Sequence, residues 1–319
     1  MSSPDATERA KVVVTTGRKK RCRRCSQIGG PAMVRFAIAA FALLTCVGGV
    51  SAQTQIPSDS GLKSIVAKKT IRIAYRTDAT PFSFKNDNGE PAGFSLDLCQ
   101  LVTKSIAQQF GLSELKIQWV PVTVQTRFSA ISSGQADLEC GSSTITLGRM
   151  KEVDFSNITF VESTGVVVAK TGNFHSFTDM AGKKIAVVAG TTNERAVNDQ
   201  SRAHDLKITV VTVKDRDEGM AALESGKVDG YAGDKLLLVG TQAQHPENFT
   251  LLPDDLSIES YAIALRRGDW ALRLAVNTGL APIFSSGLIF EGFKKWFGQI
   301  GLRPGVLSQA AWALGGLSN

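Results

Sequence analysis

The chain has 319 residues, of which 43% are hydrophobic and 20% are charged, and these values exclude wholesale disorder, a collagen-like protein and a polytopic membrane protein. The length allows two domains. The net charge of +7 comes from residues 1–52, which hold nine Lys/Arg and two Asp/Glu, so that 27 of the 36 basic and 27 of the 29 acidic residues remain for the rest of the chain. Because that remainder is neutral, we predict no nucleic-acid partner.

The first predicted element is an export signal. A cationic stretch precedes the apolar run Phe36–Val50, whose 15 residues fall short of the ~20 that a membrane-spanning helix needs. Small residues follow up to Ala52, as cleavage by a signal peptidase requires. We predict a signal peptide over residues 1–52, of which 33–52 would suffice, cleavage after Ala52 and a periplasmic mature protein.

The cysteines near the N-terminus suggest two other interpretations. A lipoprotein modified at Cys46 is an alternative, although Thr45 is an unfavourable residue before a lipidated cysteine. Cys22 and Cys25 form a single CxxC pair, whereas a structural zinc site needs four ligands. We therefore expect no metal site in this segment.

Two cysteines, Cys99 and Cys140, lie in the predicted mature chain. Export permits a disulfide between them. The alternative is a pair of buried thiols, which behave as small hydrophobic side chains. The sequence leaves both alternatives open.

Strand and helix patterns alternate through the body of the chain. Ile71–Tyr75 is β-branched and alternating, which predicts a strand, and apolar residues at helical spacing from Leu98 to Phe110 predict a helix that Gly111 ends. Further strands are predicted at Leu138–Gly141, Lys183–Ala189 and Tyr261–Leu265, and further helices from Glu194 and around Trp270–Thr278 and Phe290–Phe297. This alternation predicts mainly parallel sheets covered by helices on both faces.

Two segments of the chain resemble each other at an offset of 92 residues. They begin with KIQWV and KITVV, and each is predicted to form a strand, a turn, an amphipathic helix and a second strand that contains an aspartate. Ser133-Gly134 matches Ser225-Gly226, and Asp137 matches Asp229. One repeated β-α-β unit is too few for a solenoid and predicts two related α/β lobes.

The candidate chemistry is the binding of a small anion. The sequence contains no GxSxG, HExxH or GxxxxGK[ST] motif. Gly190–Thr192 forms a strand-to-helix turn whose N–H groups can bind an anion, and Gly141–Thr144 offers a second such turn with added hydroxyl groups. Two such turns in one α/β chain indicate an anion site at the carboxyl ends of strands.

Several short motifs between residues 62 and 298 carry a family resemblance. They are PFSF at Pro81–Phe84, GFSLD at Gly93–Asp97, DLECGSST at Asp137–Thr144 with Arg149 five residues on, DFS at Asp154–Ser156, Gly190–Thr192, Ser225-Gly226 with Asp229 and Asp234, and Lys294 with Trp296-Phe297. On these motifs the chain resembles the type II periplasmic solute-binding proteins of ABC importers, in the branch for polar amino acids. Within that branch it looks most like the glutamate/aspartate-binding proteins.

The resemblance implies a two-lobed fold, in which each lobe is a mainly parallel sheet flanked by helices and two crossing strands join the lobes. The first lobe would comprise residues 57–166 and 264–298, and the second lobe residues 167–263. The ligand would lie in the cleft between them, and hinge closure would exclude water. The C-terminal tail 299–319 has no predicted role.

The resemblance also implies residues that bind the α-carboxylate of an amino acid. Arg149 would pair with this carboxylate, because a guanidinium group suits bidentate contact. Ser142, Thr144 and Thr192 would support it through hydroxyl and backbone N–H groups, and Thr191 would lie close by.

The remaining implied contacts concern the α-ammonium group and the side chain of the ligand. Asp234 would receive the ammonium group, and Arg76 and Arg127 would face a side-chain carboxylate. Where glutamate/aspartate-binding proteins carry a histidine and a serine near that carboxylate, this chain has Arg216 and Val124. Arg216 either binds the distal carboxylate or lies in solvent.

The charges of these residues predict the class of ligand independently. Arg149, Arg76 and Arg127 against Asp234 give a predicted surplus of about +2, and a buried charge without a partner costs several kcal/mol. A dicarboxylic amino acid would supply the missing negative charge, and a neutral amino acid would not.

We therefore expect the glutamate/aspartate-binding component of an ABC amino-acid importer, a monomer without cofactor or metal that delivers its ligand to membrane permease subunits. One alternative is an enzyme on the same fold, such as a periplasmic dehydratase, which would need a general acid or base in the cleft. Glu139 is the carboxylate within the main motif, and we interpret it as structural. Another alternative is a sensor protein that delivers its ligand to a receptor.

Overall fold

The computed structural model describes residues 55–244, 247–298 and 301–317. The predicted signal peptide over residues 1–52, with Cys22, Cys25 and Cys46, lies outside the described residues. The described residues therefore all belong to the predicted mature chain.

Strands and helices alternate along the described chain, as the sequence predicts. The strands are β1 (Thr70–Arg76), β2 (Asp78–Ala79), β3 (Ser83–Lys85), β4 (Pro91–Ala92), β5 (Lys116–Val122), β6 (Leu138–Glu139), β7 (Val153–Glu162), β8 (Thr164–Ala169), β9 (Lys184–Val188), β10 (Thr209–Val213), β11 (Gly230–Asp234), β12 (Phe249–Leu251) and β13 (Glu259–Arg266). The α-helices are α1 (Gly61–Lys68), α2 (Phe94–Gln109), α3 (Arg127–Ser132), α4 (Thr192–Ala203), α5 (Arg216–Glu224), α6 (Lys235–Gln244), α7 (Trp270–Ser285), α8 (Leu288–Phe297) and α9 (Val306–Gly315).

The strands form two five-stranded sheets, in the orders β5-β1-β6-β13-β7 and β10-β9-β11-β8-β12, and a small sheet in the order β2-β3-β4. In the first sheet β13 is antiparallel to both of its neighbours, and in the second sheet β8 is. The other four strands of each large sheet run in one direction. The predicted α/β fold of two mainly parallel sheets is confirmed, with one reversed strand in each.

The internal similarity of the sequence corresponds to the same unit in both sheets, β5-α3-β6 in the first and β10-α5-β11 in the second. Asp137 Oδ2 accepts a hydrogen bond from the backbone N–H of Arg72 at 2.8 Å. Asp229 Oδ2 accepts one from the backbone N–H of Lys184, also at 2.8 Å. The two matched aspartates therefore have the same structural role, since each one binds the neighbouring parallel strand.

We call the first sheet and its helices the first lobe, and the second sheet and its helices the second lobe. The chain first passes between the lobes at Ser163, between β7 and β8. It returns before Glu259, the first residue of β13, which pairs with Glu162 of β7. We call residues 162–164 and 257–259, where the chain passes between lobes, the hinge.

The hinge lies a few residues earlier than the sequence indicated. The expected lobe boundaries followed residues 166 and 263, whereas strand pairing assigns Thr164–Ala169 to the second sheet and Glu259–Arg266 to the first. The difference arises because only Ser163 separates β7 from β8, so that hydropathy shows no break between them.

Aromatic side chains fill the core of the first lobe. Phe82 is completely buried and contacts Phe160 and Phe297, with ring centroids 4.9 and 5.3 Å away. Burial of aromatic side chains at such distances stabilises a domain strongly. The motif that begins at Pro81 thus anchors the segment after β1, which carries part of the candidate site.

The C-terminal segment, for which the sequence predicted no role, adds α9 to this core. Trp312 is 1% exposed, and its indole N–H donates to the carbonyl oxygen of Thr159 at 2.8 Å. Ser308 Oγ accepts from the backbone N–H of Val161 at 3.0 Å and donates to the carbonyl oxygen of the same residue at 3.1 Å. The first lobe therefore extends beyond its predicted end at residue 298.

Cys99 and Cys140 form a disulfide, with an S–S distance of 2.01 Å. Of the two alternatives left open by the sequence, the disulfide is the one found. It joins α2 to the residue after β6. The same helix also binds the following loop, because Ser95 Oγ donates to the carbonyl oxygen of Gly141 at 2.7 Å.

Within the described ranges, no single helix combines the length and the apolar character that crossing a membrane requires. α7 and α8 meet that criterion only when they are taken together, across a bend of 81°.

Candidate functional site

The predicted site residues lie at the carboxyl ends of parallel strands in both lobes. Arg76 ends β1 and Asp234 ends β11, while Gly141–Thr144 follows β6 and Thr191 follows β9. This edge of a parallel sheet is where α/β proteins bind ligands. Thr144 Oγ1 of the first lobe lies 3.4 Å from Thr192 Oγ1 of the second lobe, so the two sets of residues meet.

Four of the predicted residues line one cavity, namely Arg76, Thr191, Arg216 and Asp234. The other five lie beside it: Arg127, Ser142, Thr144, Arg149 and Thr192. A larger and mainly apolar groove between α6 and the segment before α9 is lined by none of the predicted residues. We therefore place the candidate site by its chemistry and not by the size of the cavity.

Arg76 is already paired with an acid. Its Nε and Nη2 donate to the two carboxylate oxygens of Asp78 at 2.9 and 2.8 Å, and its Nη1 lies 3.5 Å from Ser142 Oγ. Burial opposes the charge of Arg76, but the Asp78 carboxylate offsets this and raises the pKa of the guanidinium. Only the Nη1 side of Arg76 remains for a ligand.

Arg127 and Arg149 both lie close to the Phe128 ring, with guanidinium carbons 4.8 and 5.3 Å from its centroid. Arg127 is 3% exposed, and its Nε has no hydrogen-bond partner among the described residues. Burial and then the charge of Arg149 lower the pKa of Arg127 to about 9, so the group stays charged at neutral pH. Within the described ranges neither arginine has a carboxylate within 4.0 Å.

A hydrogen bond to the Thr144 carbonyl group holds Arg149 in position. Arg149 opens the 3-10 turn Arg149–Lys151, and its Nη1 donates to the carbonyl oxygen of Thr144 at 2.7 Å. Burial lowers the pKa of this guanidinium, and Glu259 and Asp234 partly offset the effect. The other N–H groups of the Arg149 guanidinium are available to bind a carboxylate.

Glu139 is the carboxylate of the main motif and is completely buried. Burial raises its pKa, and Arg127 is the cation that opposes this most. A Cβ atom at position 141 would overlap Glu139 Oε1 and lie close to the side chain of Arg76. A larger residue at position 141 would therefore displace the carboxylate of Glu139.

Arg216 begins α5 in the second lobe and lines the cavity with Arg76. Its Nη2 donates to the carbonyl oxygen of Leu237 at 2.6 Å. Burial lowers its pKa. Arg216 is half-buried, and its contact with a distal carboxylate stays a prediction. Val124, which lies near it, is also a buried lining residue.

Asp234 is 7% exposed, and burial raises its pKa. Its Oδ1 accepts from Asn193 Nδ2 at 2.9 Å, and the same amide nitrogen donates to Thr164 Oγ1 at 2.9 Å. The neighbouring Thr191 caps α4, since its Oγ1 accepts from the N–H of Glu194 at 3.2 Å. It also donates to the carbonyl oxygen of Val188 at 2.7 Å. The Thr191 hydroxyl is therefore occupied by the helix end.

The hydroxyl of Thr144 does not have the role that the sequence suggested. Its Oγ1 donates to Glu259 Oε2 at 2.6 Å, which is a short bond to a carboxylate that is 2% exposed. A hydroxyl has a single proton, so that of Thr144 cannot also be donated to a ligand carboxylate. The predicted support of the α-carboxylate at Thr144 would therefore come from its backbone N–H group.

The predicted charge surplus of about +2 left out one arginine and three acids. Arg216 lines the cavity, and Asp78, Glu139 and Glu259 lie among the arginines. The four guanidinium groups therefore face four carboxyl groups, counting Asp234. Two of these, Glu139 and Asp234, have raised pKa values that favour the neutral form, so the positive surplus stays a prediction. Within the described ranges Arg127 and Arg149 have no salt bridge.

Three contributing residues were missed from the sequence. Asp78 and Asn193 lie next to predicted site residues along the chain, and this proximity was the available signal. Glu259 is far from Thr144 in sequence, and only the pairing of β13 brings them together. Within the described ranges, no group of three His, Cys, Asp or Glu side chains is placed to hold a metal ion.

Comparisons with known proteins place the chain in a family. The profile of the bacterial extracellular solute-binding proteins, family 3, matches residues 71–299. An L-glutamate/L-aspartate-binding protein of Pseudomonas aeruginosa is 33% identical over 75% of this chain and 80% of its own length. A glutamate/aspartate import solute-binding protein of Escherichia coli (strain K12) is 28% identical over 82% of this chain and 87% of its own.

Among solved structures, an ancestral arginine-binding protein bound to arginine is similar to this chain. It aligns with a TM-score of 0.64 and 30% sequence identity, over 72% of this chain and 99% of the other. Proteins similar to this one therefore bind amino acids of different charge, and the ligand class depends on the side chains in the cleft.

Proposed function

The chain belongs to the bacterial extracellular solute-binding proteins, family 3, and from this premise we propose that it is the periplasmic component of an ABC amino-acid importer that binds glutamate or aspartate. The ligand would lie between the lobes, at the carboxyl ends of β1, β6, β9 and β11. Export through the N-terminal signal, with cleavage after Ala52, is part of the same proposal.

The observation that carries the proposal is the pair Arg127 and Arg149. Arg127 is buried and Arg149 is half-buried beside the same phenylalanine ring, and among the described residues neither has a salt bridge. Burying a cation without a partner is costly. Two carboxylates on one small molecule would satisfy both groups, and glutamate and aspartate carry two.

The proposed orientation assigns each charged group of the ligand to one region. The α-carboxylate pairs with Arg149, supported by Ser142 and the N-terminus of α4 at Thr192. The distal carboxylate pairs with Arg127 and reaches the free Nη1 side of Arg76. Arg216 contributes positive charge to the same end of the cavity.

The α-ammonium group is assigned to Asp234 and Thr144. Asp234 offers the carboxylate oxygen that Asn193 leaves free, and Thr144 offers hydroxyl lone pairs, because its proton goes to Glu259. An ammonium group has donors and no acceptor, so it matches this pair. The ligand would thus be held by residues of both lobes, and its binding would favour the closed arrangement.

Delivery to membrane permease subunits follows from the function of the family, and we propose a monomer. A sensor that hands its ligand to a receptor would use the same cleft. The dehydratase alternative needs an accessible general acid or base, whereas Glu139 is completely buried. We therefore favour transport without covalent chemistry.

A thermal-shift screen of the purified exported protein against the twenty amino acids tests the proposal. Glutamate or aspartate should give the largest rise in melting temperature, because a ligand that binds only the folded state stabilises it. Mass spectrometry of ligand released from natively purified protein provides the second measurement. A response to neither acidic amino acid would contradict the proposed ligand class.

A further inference from the structure

We propose that Glu259 is a positioning residue for the α-ammonium group of the ligand: it does not contact the ligand, but it fixes the Thr144 hydroxyl and the Asn193–Asp234 pair as acceptors. The inference rests on the proposed function, since it requires an α-amino acid in the cleft. It assigns a role to a hinge acid that contributes no contact to the ligand.

Glu259 is a buried carboxylate held by hydroxyl groups. It is 2% exposed, and its Oε2 accepts from Thr144 Oγ1 at 2.6 Å. Its Oε1 accepts from Ser257 Oγ at 2.6 Å, and Thr164 Oγ1 lies 3.3 Å from the same oxygen. Within the described part of the chain no basic side chain lies within 4.0 Å of it. The carboxylate is therefore an acceptor for hydroxyl protons and not half of an ion pair.

The direction of the Thr144 proton follows from this arrangement. A hydroxyl has one proton and two lone pairs, whereas an ionised carboxylate can only accept. With its proton on Glu259, Thr144 Oγ1 presents lone pairs to the cleft. A hydrogen bond with Thr192, whose Oγ1 lies 3.4 Å away, would then have Thr192 as its donor. Thr144 is thus set to accept from an ammonium group and to repel a carboxylate.

The other oxygen of Glu259 is linked to Asp234 through the hinge. Thr164 Oγ1 lies 2.8 Å from Ser257 Oγ and accepts from Asn193 Nδ2 at 2.9 Å. Because the single proton of Ser257 is donated to Glu259, the proton between the two hydroxyls comes from Thr164, whose oxygen then accepts from Asn193. Asn193 Nδ2 also donates to Asp234 Oδ1 at 2.9 Å, and the second oxygen of Asp234 is the one assigned to the ligand.

One buried carboxylate therefore organises acceptors from both lobes. Thr144 belongs to the first lobe, Asn193 and Asp234 belong to the second, and Glu259 and Thr164 are hinge residues. Buried hydrogen-bond networks of this kind specify a single arrangement when every member is satisfied. Replacing the carboxylate by an amide would put an N–H donor at one oxygen position, so that Thr144 could turn its own proton toward the cleft.

The test compares L-glutamate with 2-hydroxyglutarate, which keeps both carboxylates and replaces the ammonium group by a hydroxyl. Kd values are measured by calorimetry for the wild-type protein and for Glu259→Gln; L-aspartate and malate are used if aspartate binds more tightly. We expect Glu259→Gln to weaken glutamate roughly tenfold or more, as for a lost hydrogen bond to a charged group, and to change 2-hydroxyglutarate about twofold at most.

Glu162→Gln is the matched control, because Glu162 is the register partner of Glu259 but accepts from the backbone N–H of Leu236 and not from Thr144. It should leave the ratio of the two Kd values unchanged. If Glu259→Gln does not fold, Glu259→Asp replaces it, because the shorter side chain keeps the charge but withdraws the oxygen from Thr144.

Equal losses for both ligands, or an unchanged glutamate affinity, would overturn the inference and leave the proposed function intact. A wild-type protein that binds no amino acid would overturn the proposed function, and the inference with it.

Discussion

Arg76 and Asp78, which are two residues apart in the chain, form a partly buried bidentate ion pair at the edge of the candidate site. Nε to Oδ1 is 2.9 Å and Nη2 to Oδ2 is 2.8 Å, and the Arg76 side chain is 8% exposed. The pair holds the guanidinium plane in place. It also puts a negative charge close to the proposed position of the distal carboxylate.

Asp78→Asn should sharpen the preference for acidic ligands. Without the Asp78 carboxylate, the charge of Arg76 has no partner, and the repulsion between Asp78 and the distal carboxylate of the ligand is absent. The ratio of the glutamine Kd to the glutamate Kd should therefore rise about tenfold. Calorimetry with both ligands measures this ratio.

Asp137→Asn is the matched control for this change. Asp137 forms the corresponding pair with Arg72 on the same strand, where Nη2 and Oδ1 are 2.6 Å apart. It should destabilise the fold without altering the ratio. A ratio that stays constant or falls in Asp78→Asn would show that Asp78 does not influence the ligand side chain.

Arg127→Ala should reduce the affinity for glutamate much more than the affinity for glutamine. The change removes the proposed partner of the distal carboxylate, and truncating one member of a buried charge pair costs about 2–5 kcal/mol. Arg149→Ala should abolish binding of both ligands, because every amino acid carries the α-carboxylate. Arg72→Ala, which removes a half-exposed arginine away from the site, serves as the control. Equal losses for the two ligands in Arg127→Ala would contradict its assigned role.

Glu162 should make the stability of the protein depend on pH. Burial raises the pKa of this hinge acid to about 8, whereas an unfolded glutamate titrates near ~4.3. Between these values the folded protein holds a proton that the unfolded chain releases, so the free energy of unfolding falls as pH rises. The contribution should be on the order of 3–4 kcal/mol between about pH 5 and pH 8.

Denaturant unfolding of wild-type protein and Glu162→Gln at several pH values checks this. The amide cannot ionise, so the variant should gain stability relative to wild type as pH rises. Parallel curves for the two proteins across this range would show that Glu162 is ionised in the folded state.

The Cys99–Cys140 disulfide should contribute substantially to stability. The bond closes a loop with a sequence separation of 41, for which loop-closure entropy gives about 4 kcal/mol. Reduction, or the double change Cys99→Ala with Cys140→Ala, should lower the melting temperature. Alkylation followed by mass spectrometry should find no free thiol at either position in the exported protein, and two alkylated cysteines would rule the bond out.

Much of the fold was predictable because its signals are local. The β-branched strand at Ile71–Tyr75 and the helix that Gly111 ends both lie where periodicity placed them. The matched aspartates Asp137 and Asp229 also identified the two lobes. The lobe boundary at Ser163 was missed because one residue separates two apolar strands. The role of α9 was missed because it depends on the packing of Trp312 against β7, which is distant in the sequence.

The sequence predicted which residues form the candidate site better than it predicted how their charges are paired. Motif positions identified the arginines and Asp234, and the structure brings them together. The pairing of Arg76 with Asp78 and of Thr144 with Glu259 depends on side-chain geometry, and the second depends also on a contact across 115 positions of sequence. A charge count from the predicted site residues alone therefore left out Asp78 and Glu259.

Calorimetric titration of the exported protein with L-glutamate, L-aspartate, L-glutamine and L-arginine is the most direct measurement of the ligand class. The pair Arg127 and Arg149, which lack a salt bridge within the described ranges, predicts saturable binding of at least one acidic amino acid, at least tenfold tighter than glutamine and far tighter than arginine. Tightest binding of a neutral or basic amino acid, or no heat from either dicarboxylate, would contradict the account.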